Sequence, residues 1–284
     1  MGSGRAHAAA VPATVLMFVV AGLILVCGGK AMDRQGGVGT PRDNVPDGAW
    51  ERLAKKRIYF GHQSVGYNIV NGIRDVMREN PRLRLNIVET TDPADFASPV
   101  LAHSRVGKNK DPGSKCDAFA GYLENGIGEK VDVAFMKMCY VDVSSESDVA
   151  AMFDRYRRTM GNLKRKFPRT LFVHVTVPLT STDTSVRQTV KRWIGRRGIR
   201  EYANVNRSLY NELLRKEYAG RELIFDLAAV ESTSPDGIRR TATHMGKTYA
   251  VMHSSYTSDG GHLNESGRRR VASELLTFLA NLPG

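Results

Sequence analysis

Apolar and amphipathic segments alternate along residues 51–284 of the chain. Short apolar runs predict strands, and several of them are apolar throughout, as strands covered on both faces are. These runs are Arg57–Phe60, Leu85–Glu89, Val131–Met138, Thr170–Val177 and Leu223–Leu227. Apolar residues at helical spacing predict helices between and after them, beginning near Ser64, Val149, Tyr202 and Val271. This alternation predicts a three-layer α/β/α sandwich around a five-stranded, mainly parallel sheet.

The N-terminal part of the chain has a different pattern. Arg5 is followed by an uncharged, largely apolar stretch, Val11–Val26, which ends at Cys27. The order of basic, apolar and small residues predicts a signal peptide or an N-terminal membrane anchor in residues 1–30. Residues 31–50 are rich in Gly, Pro, Asp and Arg, a composition typical of a flexible linker. We therefore expect an extracytoplasmic protein, membrane-anchored or secreted, with the segment cleaved, lipidated at Cys27 or retained.

Composition narrows the class of protein further. The chain has 284 residues and a formal net charge of +12, enough length for one large domain over residues 51–284. Its basic residues are scattered without an aromatic-interleaved motif, so we expect no nucleic-acid partner. We also expect a monomer. The sequence contains neither C-x-x-C nor H-E-x-x-H, so we expect no metal and no cofactor. A disulfide between Cys116 and Cys139 is left open.

Two short segments carry the candidate chemistry. Ser64 follows the first predicted strand in I-Y-F-G-H-Q-S-V-G, and Asp259 precedes His262 by three positions in S-D-G-G-H-L-N, just before the last helix. A serine hydroxyl becomes a good nucleophile only beside a base, and that base needs an acceptor to fix its tautomer. Parallel strands place their carboxyl ends at one edge of the sheet, where ligands bind. The sequence therefore predicts a Ser-His-Asp site at that edge.

A serine after the first strand and a D-x-x-H segment near the end resemble the SGNH or GDSL hydrolase superfamily, over about residues 57–282. The resemblance implies a flavodoxin-like fold and an esterase or acyl-hydrolase activity, with Ser64 as nucleophile, His262 as base and Asp259 orienting it. The implied substrate is an O-acyl ester on a carbohydrate or a lipid, which is cleaved or transferred. The family's G-D-S is replaced here by Gly61-His62-Gln63-Ser64.

The resemblance also implies an oxyanion hole built from the Ser64 N–H, a glycine after the second strand and an asparagine after the third. Gly107 can supply the glycine, but no G-x-N-D follows the third predicted strand. The candidates to replace the asparagine are Asn109 of the neighbouring loop, Lys137 and the Cys139 backbone, although Asn109 can equally cap its own turn.

Four further residues are expected to contact the substrate: His62, Gln63, Cys139 and Tyr140. Three of them have simpler alternatives, since His62 can be a loop histidine bonded to backbone, Cys139 a buried apolar residue and Tyr140 a residue that only packs the strand end. The alternative for the whole domain is a catalytically silent carbohydrate-binding or scaffold module of the same fold.

Overall fold

The structure is a computed structural model that describes residues 1–2, 45–46, 48–182 and 199–283. The predicted N-terminal segment and most of the predicted linker lie outside the described residues, so their roles stay predictions. The chain divides into two units after Gly36. All the helices and strands described here belong to the second unit, Gly37–Gly284. The described helices are α1 Ala49–Ala54, α2 Val65–Glu79, α3 Pro112–Tyr122, α4 Val149–Lys166, α5 Ile199–Tyr218, α6 Leu227–Ser232 and α7 Glu265–Ala280.

A parallel sheet forms the centre of this unit. Its strands are β1 Arg57–His62, β2 Ile87–Glu89, β3 Val100–Arg105, β4 Val133–Met136, β5 Leu171–Val175 and β6 Leu223–Phe225. Their order is β2-β3-β1-β4-β5-β6, and every neighbouring pair is parallel. The predicted α/β class and parallel sheet are confirmed, but the predicted number of five strands is wrong, because β3 was missed.

Helices cover both faces of the sheet and bury two separate apolar cores. One core packs α1, α2, α6 and α7 against one face, and the other packs α3, α4 and α5 against the opposite face. The strands alternate between them: Ile58 and Phe60 of β1 point into the first core, whereas Tyr59 points into the second. Such burial on both faces explains why most of the strands are continuously apolar in sequence.

The long polar segment after α6 contains a second, smaller sheet. An antiparallel hairpin pairs β7 Thr241–His244 with β8 Lys247–Ala250. Its turn places Met245 at a φ of 48° and Gly246 at a φ of 75°, the left-handed conformations that a tight hairpin turn requires. In the parts of the chain that the structure describes, no helix combines the length and apolar character needed to cross a membrane.

Candidate active site

Ser64 lies in a strained turn between β1 and α2. It is the N-cap residue of α2, with a φ of 46° and a ψ of −101°, a conformation that costs a non-glycine residue about 1–3 kcal/mol. Gly66 follows two residues later, and its φ is not positive. Instead, a Cβ on Gly66 would lie 2.2 Å from Cγ of His62. Glycine is therefore required because the His62 ring packs against the first turn of α2.

The D-G-G-H segment forms a compact loop directly before α7. An antiparallel bridge between Thr257 and Leu263 closes the loop, and Asn264 caps α7 by accepting a hydrogen bond from the Gly267 N–H at 3.0 Å. Inside the loop, Oδ1 of Asp259 accepts the backbone N–H groups of Gly261 and His262, each at 2.8 Å. These bonds fix the Asp259 carboxylate relative to the imidazole of His262.

The structure brings the three predicted catalytic side chains into one hydrogen-bonded chain. Oγ of Ser64 lies 2.6 Å from Nε2 of His262, and Nδ1 of His262 lies 2.6 Å from Oδ2 of Asp259. Burial alone would raise the pKa of Asp259, but the hydrogen bonds from His262 and from the loop backbone outweigh it and hold this pKa well below its ordinary value. An ionised Asp259 keeps the Nδ1 proton on His262, which leaves Nε2 free to accept the proton of Ser64.

The loop after β3 contacts the Ser64 turn through Gln63. The side-chain amide of Gln63 donates to the Gly107 carbonyl at 2.7 Å and to the Val106 carbonyl at 3.3 Å. Gly107 has a φ of 52°, and a Cβ there would lie 2.5 Å from the backbone of Ser114 and Lys115. Glycine therefore lets this loop lie against the first turn of α3 while it borders the serine.

Two of the three candidate substitutes for the missing asparagine are engaged elsewhere. The Cys139 N–H donates to Oδ2 of Asp142 at 2.6 Å. Lys137 is fully buried, and its ammonium lies 3.5 Å from the Cys139 sulfur and 3.4 Å from the Met138 carbonyl. Asn109 is therefore the remaining candidate for the third oxyanion donor. It is exposed on the loop after Gly107.

Two of the four predicted substrate contacts are corrected by burial. His62 and Cys139 are both 0% exposed, so neither side chain offers a surface to a substrate. His62 is the last residue of β1 rather than a loop residue, and its Nε2 lies 3.1 Å from Nδ1 of His103. Burial, with the positive charge of Lys137 second, lowers the pKa of His62 to about 2. The ring is therefore neutral and supports the Ser64 turn from below.

Tyr140 and Gln63 are half-buried, and their predicted contact with the substrate stays a prediction. The Tyr140 ring meets the His262 imidazole edge to face, with ring centroids 5.7 Å apart. A Cβ on Gly261 would lie 2.7 Å from the Tyr140 ring, so the second glycine of D-G-G-H makes room for the phenol. Tyr140 thus forms one wall beside the His262 imidazole.

The two cysteines of this domain, Cys116 and Cys139, are free and buried. The structure therefore contains no disulfide between them. Among the residues described, no three His, Cys, Asp or Glu side chains are grouped closely enough to share a metal ion.

Glu231 is a buried acid that sequence reasoning missed. It is 0% exposed in α6. Its Oε2 accepts the Leu179 N–H at 2.7 Å, and its backbone carbonyl accepts the His253 N–H at 2.8 Å. It therefore links the segment after β5 to the segment that leads to His262. Burial raises its pKa to about 8, against smaller opposing effects from the Leu179 N–H and the Lys137 charge.

Replacing Glu231 with glutamine should change how stability depends on pH. The folded-state pKa of about 8 lies above the unfolded value, which is about 4.3, so the folded protein holds this proton more tightly. The stabilising contribution of this proton should therefore be complete below about pH 4 and should be lost as the pH rises towards 8. Relative to Glu231→Gln, the free energy of unfolding of the wild type should fall by up to about 1.4 kcal/mol per pH unit in that window.

Urea unfolding of both proteins at pH 5 and pH 8 measures this difference. Glu146→Gln is the matched control, since Glu146 is exposed, and it should behave as the wild type does at both pH values. Equal pH dependence in wild type and Glu231→Gln would contradict the assignment of a neutral buried acid.

The order of the strands in the sheet matches a known α/β arrangement. Without its edge strand β2, the order β3-β1-β4-β5-β6 is the flavodoxin-like 2-1-3-4-5 arrangement, and Ser64 follows the strand at the switch point of that arrangement. No protein-family model matches the sequence, and no curated protein matches it significantly. Solved structures do match, however, and they include SGNH and GDSL proteins.

The chain has an α/β fold with a parallel sheet and a flavodoxin-like strand order. A protein provisionally named a platelet activating factor, from Streptococcus pneumonia, matches at 12% identity and a TM-score of 0.47, covering 81% of this chain and 91% of its own. A provisionally named SGNH hydrolase from Slackia heliotrinireducens matches at 14% identity and a TM-score of 0.43, covering 78% and 97%. The lipopolysaccharide acetyltransferase periplasmic domain of Salmonella ser. Paratyphi A matches at 10% identity and a TM-score of 0.41, covering 80% and 86%. At these identities and TM-scores the likeness extends no further than the α/β arrangement of strands and helices.

Proposed function

We propose that this α/β protein is a serine hydrolase or acyltransferase of SGNH type that acts on an O-acyl ester. The observation that carries the proposal is the continuous chain from Oγ of Ser64 through His262 to Asp259, with both hydrogen bonds at 2.6 Å. A purely binding module has no need of a serine held in a strained turn and aligned with a histidine and an acid. The silent-module alternative expects no such alignment and is therefore disfavoured.

The reaction follows from the positions of these atoms. Oγ of Ser64 attacks the ester carbonyl carbon while Nε2 of His262 accepts its proton. The tetrahedral intermediate then collapses, the bond to the alcohol breaks, and His262 protonates the departing alkoxide. Water, or the hydroxyl of an acceptor, next attacks the acyl-serine as His262 removes its proton. Release of the acid or the transferred ester returns that proton to Ser64.

The proposed oxyanion donors are the N–H groups of Ser64 and Gly107 together with the side-chain amide of Asn109. Asn109 is preferred because the Cys139 N–H is bonded to Asp142 and the Lys137 side chain is buried. Donors aimed at a developing oxyanion provide one of the largest contributions to acyl transfer.

The proposed location is extracytoplasmic, with membrane attachment or secretion through residues 1–30, and the proposed substrate is an acylated carbohydrate or a lipid ester. The location rests on the basic and then apolar pattern after Arg5. The substrate class rests on the resemblance carried by Ser64 and the D-x-x-H segment. An acceptor hydroxyl in place of water would make the same site an acyltransferase.

Labelling with a fluorophosphonate probe tests the proposal. The full-length protein, solubilised in detergent, should be labelled because His262 activates Ser64. Ser64→Ala and His262→Ala should both abolish labelling, whereas Ser98→Ala, which changes an exposed serine away from this turn, should label as the wild type does. A folded wild-type protein that takes no label would favour the silent binding module instead.

A further inference from the structure

An ion pair lies beneath the two loops that border Ser64. Nζ of Lys115, on α3, lies 2.5 Å from Oδ2 of Asp142, and both side chains are completely shielded from solvent. The catalytic steps described above use neither group. Burying two charges is costly unless the surrounding polar groups are well satisfied, so the further contacts of this pair are informative.

Asp142 connects the two loops through backbone hydrogen bonds. Its Oδ2 also accepts the Cys139 N–H at 2.6 Å, from the segment after β4. Its Oδ1 accepts the Lys110 N–H at 2.8 Å, from the loop after β3. One carboxylate therefore fixes the loop that contains Asn109 relative to the strand end beside the Ser64 turn.

Lys115 fixes the orientation of the Asn109 side chain. Its Nζ donates to Oδ1 of Asn109 at 2.9 Å. An ammonium has only donors, so the amide atom facing it must be the oxygen and not the nitrogen. The planar amide group then presents its NH2 on the side away from Lys115. An oxyanion donor must present its N–H in this defined way before the reaction begins.

We propose that Lys115 and Asp142 are positioning residues that hold Asn109 as the oxyanion donor in place of the asparagine missing after β4. This inference rests on the proposed hydrolase or acyltransferase function. It gives a functional role to a buried ion pair whose two members, Lys115 and Asp142, lie on different elements. Lys115 contacts the Asn109 side chain directly. Neither Lys115 nor Asp142 touches the substrate; each acts through the position of the Asn109 amide.

The first test changes only the donor. Asn109→Asp retains an oxygen for Lys115 but replaces the NH2 with a second oxygen, and it changes an exposed residue, so the fold should survive. The kcat for p-nitrophenyl acetate should fall about 100- to 1,000-fold with little change in KM, because the donor acts on the transition state. Unchanged kcat would overturn the inference.

The second test asks whether Lys115 acts through Asn109. Lys115→Met in the otherwise wild-type chain should lower kcat by about 100-fold through a misplaced donor, but should cause little further loss in the Asn109→Ala background. Two residues that act as a unit give such non-additive losses, whereas a merely structural lysine would reduce activity equally in both backgrounds. Equal losses, or a wild-type kcat in Lys115→Met, would overturn the inference.

Lys115→Met leaves Asp142 without its cation and can fail to fold. The same cycle is then run with Lys115→Arg, which keeps a positive charge for Asp142 but carries a larger, planar head, and the same pattern of non-additive loss is expected. Arg57→Met is the matched control, since it breaks the Arg57–Asp132 ion pair at the amino end of β1, opposite the site. Its kcat should stay at the wild-type value.

The outcomes separate this inference from the proposed function. A wild-type protein that neither hydrolyses esters nor takes the phosphonate label defeats both. Activity that depends on Ser64 but is insensitive to Asn109→Asp and to Lys115 leaves the hydrolase standing and removes only the positioning role.

Discussion

Replacing His262 with alanine should lower the kcat for ester hydrolysis by about 10⁴- to 10⁶-fold, the range found when a triad base is removed. Among the described side chains, His262 is the one that forms a hydrogen bond with Oγ of Ser64, at 2.6 Å, so without it the hydroxyl keeps its proton and is a poor nucleophile. The 44% exposure of its side chain indicates that the alanine variant should fold normally. Steady-state kinetics with p-nitrophenyl acetate, on protein checked by circular dichroism, measures the effect.

His244→Ala serves as the control for this change. His244 lies on the hairpin strand β7, so the variant should retain the wild-type kcat. The activity that remains in His262→Ala should come from the oxyanion donors and substrate binding alone. A loss below about 10-fold, smaller than the usual effect of general acid–base catalysis, would mean that another group serves as the base.

The fold class could be predicted from local sequence, and so could the contact between Asp259 and His262. Strands buried on both faces are continuously apolar, and the helices between them have apolar residues at regular spacing. The D-G-G-H loop likewise forms its own hydrogen bonds within a few residues, from Gly261 and His262 to Asp259. Local sequence is therefore sufficient to place the acid beside the histidine.

Strand β3 was not predicted, because it contains polar residues whose hydrogen-bond partners lie on a neighbouring strand. His103 and Ser104 interrupt the apolar pattern, yet both are buried. His103 bonds His62, and Ser104 lies 2.7 Å from the hydroxyl of Tyr59. Both partners belong to β1, which pairs with β3 in the sheet. A single sequence does not reveal which polar residues will find such partners, so hydrophobicity alone could not identify this strand.

The supporting residues of the site were missed for the same reason. Lys115 and Asp142 are 27 positions apart and meet only when α3 packs beside the end of β4. In sequence, each looks like an ordinary charged surface residue. Glu231 is similar, since its partner Leu179 is 52 positions away. The buried contacts of charged groups depend on tertiary packing, which local pattern does not encode.

Gly72→Ala should reduce both stability and activity, because α2 and α7 meet closely at this residue. A Cβ on Gly72 would lie 2.2 Å from the backbone oxygen of Arg268 on α7. A backbone atom cannot rotate away, so the helices must separate. Overpacking of this kind costs about 1–3 kcal/mol, and we expect a loss near the upper end in the free energy of unfolding, measured in urea.

Activity should fall as well, because the proposed nucleophile and base lie at the starts of these two helices. Ser64 directly precedes α2 and His262 precedes α7 by three positions, so a shift between the helices lengthens the distance between Oγ and Nε2. A displacement of about 1 Å can cost about 100-fold in rate. The ion pair between Asp75 of α2 and Arg268 of α7, at 2.7 Å, lies one turn from Gly72 and should be strained by the same shift.

Gly161→Ala is the matched control. Gly161 lies within α4, and the nearest atom to an added Cβ is the end of the Arg165 side chain at 3.7 Å, an ordinary contact. Alanine there should raise stability by about 0.5–1 kcal/mol through its better helix propensity and leave kcat unchanged. If Gly72→Ala also kept its stability and kcat, the close approach of α2 and α7 could not be what sets the distance between Ser64 and His262.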